Sequence, residues 1–187
     1  MSRGIAESVG SFLNRQGYLL AWALLVSSIS SAAAQQPLST EVLFTNVRNL
    51  YAPSVVTHHG VKRMWTGGWL TDADPQQFLA SGSCGADLSQ VVGADKIFYS
   101  ELVNGVWTWP VLSFAKVGFH VNDPSVIQPP SSDEIDRRQW LYLYYTALHN
   151  DDARCGRFDR SHRVGFASSL DGGRTWTDHG IVIDTTE

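Results

Sequence analysis

The chain has 187 residues and a formal net charge of -4, which suits a soluble domain and offers no basic footprint for nucleic acid. Seven Trp, six Tyr and eight Phe are many aromatics for that length, and flat ring faces serve both a packed core and stacking against ring-shaped ligands. Composition alone does not separate those two uses. The first predicted element is a targeting signal over residues 1–34: Arg3 and Arg15 carry positive charge, Tyr18 to Ile29 is a short apolar run, and Ala32-Ala33-Ala34 offers small residues for cleavage before Gln35. Leu19 to Val26 is followed at once by Ser27, Ser28, Ser30 and Ser31, which leaves the run short of the roughly 20 apolar residues of a membrane span. The expected destination is the periplasm or the outside of the cell, with no membrane contact after cleavage.

Residues 35–50 lead into an internal repeat that organises the remainder. Tyr51-Ala52-Pro53-Ser54-Val55-Val56 aligns with Asn122-Asp123-Pro124-Ser125-Val126-Ile127, so that Ala52 matches Asp123 at an offset of 71. A strand-like aromatic run follows each, Arg63 to Trp69 in the first copy and Trp140 to Thr146 in the second. Lys96 to Ser100 then matches Val164 to Ser168, and Asn104-Gly105-Val106-Trp107-Thr108 matches Gly172-Gly173-Arg174-Thr175-Trp176-Thr177. Each copy holds about four short strands, the content of one propeller blade, and no stretch beyond the signal has sustained helical periodicity. The expected fold is therefore all-β: a first four-stranded blade over 51–119 and a second over 120–187. Cys84 and Cys155 share the offset of 71, so a disulfide between equivalent loops competes with two free thiols. Nothing in the Cys and His spacing supports a metal, and no cofactor is expected.

In a propeller the innermost strands converge on a central funnel, and a proline at the start of such a strand fixes the backbone there. The residue before each proline faces that funnel, and it is Ala52 in the first copy and Asp123 in the second. Glycosidic cleavage generally uses two carboxyl groups, of which Asp123 could supply one; a turn or capping role is the plain alternative. The loop after each second strand should emerge at the same end, carrying Trp69 and Asp72 in one copy and His149, Asn150 and Asp151 in the other. These, with His120 and Asn122 beside the aspartate, are the candidate sugar contacts. Ser169 to Trp176 fits the Asp-box pattern, a hairpin turn whose meaning is structural.

On the His120 to Ile127 run and the tyrosine-rich strand after it, the chain resembles the five-bladed propeller glycoside hydrolases, with family 43 nearest in style. The resemblance implies a secreted enzyme acting on polysaccharide, with Asp123 as nucleophile, general base or the aspartate that tunes the acid. It also implies a general base where this chain has Ala52, and an acid from a third blade. Five blades need roughly 300 residues, so the chain is expected to be a truncated form, inactive and prone to aggregate through its open sheet edge. Two other readings are a non-catalytic carbohydrate-binding propeller and, from the Asp-box, a sialidase-like protein. The latter needs a cluster of arginines, and Arg154, Arg157, Arg160 and Arg163 all fall in one loop region.

Overall fold

The computed structural model describes residues 44, 49–69, 71–129, 140–157 and 162–185, all within the unit Val42–Glu187. The expected signal over 1–34, most of the 35–50 segment and Arg160 lie outside the described residues. Among the described residues no helix is long and apolar enough to cross a membrane.

Among the described residues nine strands form two antiparallel sheets. The first runs β1 (Leu50–His58), β2 (Val61–Gly68) and β3 (Lys96–Val103), then pairs β3 with both the two-residue β4 (Val106–Trp107) and β5 (Val111–Phe114). The second is a four-stranded meander of β6 (Phe119–Ile127), β7 (Leu141–His149), β8 (His162–Ser169) and β9 (Thr177–Ile183). The all-β expectation holds at this level. Tight turns join the strands where glycine permits: His59-Gly60 links β1 to β2 with φ of 50° and 76°, and Asn104-Gly105 closes the β3–β4 hairpin with 52° and 81°.

The expectation of no helix fails in two places. Helix α1 (Ala73–Ala80) and helix α2 (Asn150–Arg154) occupy the β2–β3 and β7–β8 connections. Periodicity could not announce them: α1 buries only Phe78, so its sequence carries no 3.6-residue apolar repeat. Its local cues are Asp74 in the first turn, where a negative charge meets the positive end of the helix, and Pro75, tolerated there because that N–H has no partner.

The core lies between the sheets. Trp65, Ile97, Tyr99 and Phe114 from the first sheet meet Val121, Val126, Leu141, Leu143, Tyr145, Ala147 and Ala167 from the second. Trp65, Ile97, Leu141 and Leu143 are wholly buried, each contributing about 1.5–3 kcal/mol by that burial. The seam is also stitched by polar groups. Trp65 Nε1 donates to the Gly173 carbonyl at 2.8 Å, Ser113 Oγ donates to the same oxygen at 2.8 Å, and Trp176 Nε1 donates to Ser113 Oγ at 2.8 Å. The Ser169–Trp176 turn is held from within: Asp171 accepts from Ser169 Oγ, Arg174 N, Thr175 N and Thr175 Oγ1.

Three carboxylates around this seam are held below the usual range. For Glu101 the main cause is the Tyr99 hydroxyl, helped by Arg174 and Arg63, against an upward push from burial. For Asp171 and Asp178 burial acts upward most strongly among single causes, but it is outweighed by donors: Thr175, Ser169 and Arg174 for the first, Lys116, Tyr145 and Gly180 for the second. Tyr99, buried and facing Glu101, is pushed up to about 12. A depressed folded pKa stabilises above the unfolded value of about 4 and that stability is lost as pH falls through the folded value. The melting temperature is therefore expected to drop as pH falls below about 4, and Glu101→Gln with Asp178→Asn to flatten that slope in a calorimetric series.

Candidate functional site

The two inner strands share one irregularity. In β1 the pairing with β2 slips between Tyr51 and Ser54, so Ala52 and Pro53 together oppose Thr66; in β6 the pairing with β7 slips between Asn122 and Ser125, so Asp123 and Pro124 oppose Tyr145. Each is a β-bulge, which absorbs the proline's missing donor. The residue before the proline takes a left-handed backbone, φ 47° at Ala52 and 45° at Asp123, in place of the extended conformation that a following proline favours. Such a conformation costs of order 1–3 kcal/mol, a cost typical of functional sites. In the second copy it carries an exposed carboxylate.

Two close backbone approaches set this bulge in place. A Cβ at Gly67 would stand 3.2 Å from Asp123 N and 3.3 Å from Asn122 Cα, so β2 lies directly against the bulge of β6. A Cβ at Gly93 would stand 2.5 Å from the Phe119 carbonyl oxygen, and this closeness lets Gly93 N donate to Phe119 O and Val121 N donate to Asp95 O, both at 3.1 Å. The run Gly93 to Asp95 thereby flanks the start of β6.

Around the bulge the structure gathers His120, Asn122 and Asp123 with two residues that sequence reasoning missed. Tyr51 is the repeat partner of Asn122, and its hydroxyl donates to Asp95 Oδ1 at 3.1 Å. Burial first, then the Asp95 charge, pushes the Tyr51 hydroxyl far above the ordinary phenol range; the Asp123 charge adds to this and a hydrogen bond with Asn122 opposes it. One neutral phenol thus senses both carboxylates. His120, 7 % exposed, has Nδ1 3.2 Å from Asp95 Oδ2, and its ring meets Phe78 of α1 edge-on at 4.4 Å. Asp74 at the start of α1 pairs with Lys96 at 3.2 Å. The repeat alone could have flagged Tyr51, since it stands one residue before the first bulge; Asp95 has no counterpart in the second copy.

Among the described residues five buried side-chain atoms have no hydrogen-bond partner, and Trp69 Nε1, His120 Nε2 and Asn122 Oδ1 are three of them. Trp69 follows β2 two residues after Gly67, at the bulge end. Leaving such an atom unpaired costs about 1–3 kcal/mol, which an occupant supplying donors and acceptors would recover. Asp72 sits apart at the exposed N-cap of α1, where its side chain makes no capping bond.

The predicted contacts from the second loop form a different group. His149 is half-buried, edge-on to Phe119 at 4.9 Å and 3.7 Å from Asp151 Oδ2. Asn150 is fully buried, and its amide donates to Val91 O at 2.6 Å and Leu88 O at 3.3 Å, so it ties the two loops together and has no surface for a ligand. Asp151 lines an open groove of about 590 Å³ beside the Cys84–Cys155 disulfide, together with Asp87 and Arg157. Of the described arginines nearby, Arg154 donates to Gly82 O and Leu79 O, while Arg157 and Arg163 both pair with Asp152, at 3.4 and 4.0 Å, and Arg163 also pairs with Asp184. Among the described residues no three His, Cys, Asp or Glu side chains are grouped to hold a metal ion. No family model matches the chain, and no curated protein matches it in sequence.

Proposed function

We propose that the chain forms the carbohydrate site of an exported, glycoside hydrolase-like β-propeller protein, in which Asp123 is the carboxylate that acts at the glycosidic bond. The observation that supports this most is the repeated left-handed bulge, which in the second copy holds an exposed aspartate in the same strand as His120 and Asn122, each of which has an unpaired buried polar atom. Unpaired donors and acceptors next to an aromatic ring suit a polyhydroxylated ring, which offers hydroxyls to both and an apolar face to stack. Asp123→Asn in the intact protein is expected to lower turnover of aryl glycosides by about 10²–10⁴-fold, while calorimetric affinity for the matching oligosaccharide stays within a few-fold. Unchanged turnover removes Asp123 from the chemistry.

A second reading, a propeller that binds saccharide without cleaving it, is favoured by Ala52: the equivalent bulge of the first copy has the strain and no carboxylate. Saccharide binding by the intact protein with no hydrolysis of any aryl glycoside decides for it.

A further inference from the structure

His120 Nδ1 has two neighbours that make opposite demands. Asp95 Oδ2, at 3.2 Å, needs a proton on Nδ1; the Asp95 backbone N–H, at 3.3 Å, needs a lone pair there. A hydrogen bond to an ionised carboxylate is roughly twice as strong as a neutral one, so the carboxylate prevails. The other nitrogen, Nε2, is then an acceptor, and it is one of the unpaired buried atoms. Asn122 Oδ1, two residues along the same strand, is a second unpaired acceptor. Trp69, the residue after the end of β2, carries an unpaired donor in its Nε1.

We infer that Asp95 is a positioning residue of this site: by holding the His120 proton on Nδ1 it turns Nε2 outward from that bond as an acceptor, and so selects a ligand that donates hydroxyl hydrogens. Asp95 does not touch the ligand. It acts through His120, while Tyr51 holds its other oxygen and prevents the carboxylate from rotating away. The ligand class is a polyhydroxylated ring, whose hydroxyls donate to His120 Nε2 and Asn122 Oδ1 and accept from Trp69 Nε1. The inference rests on the carbohydrate reading for the ligand's identity, although the tautomer itself does not.

Long-range ¹H–¹⁵N correlation spectra of the ¹⁵N-labelled chain at about pH 9, where an ordinary imidazole is neutral, report which nitrogen carries the proton. His120 is assigned by the cross-peaks that His120→Gln removes. The expected result is Nδ1–H in the wild type and Nε2–H in Asp95→Ala, where the backbone N–H becomes the remaining partner. Nε2–H in the wild type overturns the inference. Calorimetric titration with xylo- and arabino-oligosaccharides is the second arm, in which Asp95→Ala is expected to bind about tenfold more weakly than the wild type, the loss of one hydrogen bond. Equal affinity in the two proteins overturns the positioning role. A wild type with the Nδ1–H tautomer that binds no saccharide overturns the carbohydrate reading alone.

Discussion

Gly173→Ala is expected to destabilise the chain by on the order of 3–6 kcal/mol, the sum of a strained backbone, a displaced ring and weakened seam hydrogen bonds. The residue sits at φ 81°, where a Cβ costs about 1–2 kcal/mol by itself. That Cβ would also stand 2.2 Å from Cζ2 of Trp65, far inside van der Waals contact. Trp65 is wholly buried at the centre of the inter-sheet core and cannot step aside without losing its bond to the Gly173 carbonyl. That oxygen also accepts from Ser113, which in turn accepts from Trp176, so one added methyl disturbs the whole stitch. Gly180→Ala is the control: φ is 93° there, but nothing lies within 4 Å of the added Cβ. It should show only the backbone cost. Urea unfolding of the two variants separates the effects, and equal losses would mean that the ring contact contributes nothing.

The same glycine shows what could be read from sequence. The Ser169–Trp176 run was legible as a turn, and its internal hydrogen bonds follow from Ser169, Asp171 and Thr175 alone. Which sheet the turn rests on was not legible, because Trp65 lies 108 positions away and no local pattern names it. The two meanders were legible for a related reason: strand alternation and turn residues are local, and a repeat doubles each signal. The prolines read as strand openings, yet they fall inside β1 and β6, where the bulges and the left-handed φ of Ala52 and Asp123 come from pairing with β2 and β7. His149 and Asn150 look as polar as His120 and Asn122 in sequence. Only packing sorts them, sending Asn150 inward to bind the Val91 carbonyl and leaving Asp123 exposed. Asp95 comes beside His120 because Gly93 allows its backbone against β6, a contact between the two sheets that neither repeat copy encodes by itself.

Removing the Cys84–Cys155 disulfide is expected to cost about 4 kcal/mol, close to the effect of the glycine substitution but by a different route. The bond joins the β2–β3 connection to the β7–β8 connection across 71 positions of sequence, so it confines the unfolded chain strongly. In the folded state its loss should change little. Arg154 still donates to Gly82 O and Leu79 O, and Asn150 still donates to Val91 O and Leu88 O, which keeps the two loops docked without the sulfurs. The two mechanisms predict different denaturation signatures. Gly173→Ala acts on the native state and should lower the urea midpoint at constant slope, whereas Cys84→Ser with Cys155→Ser should also raise the slope, because a chain freed of its crosslink exposes more surface on unfolding. His120 and Trp69 resonances that stay in place in the double serine variant would locate the disulfide's effect in the unfolded chain; large shifts there would mean that the bond instead holds α1 and Phe78 over the Asp95–His120 pair.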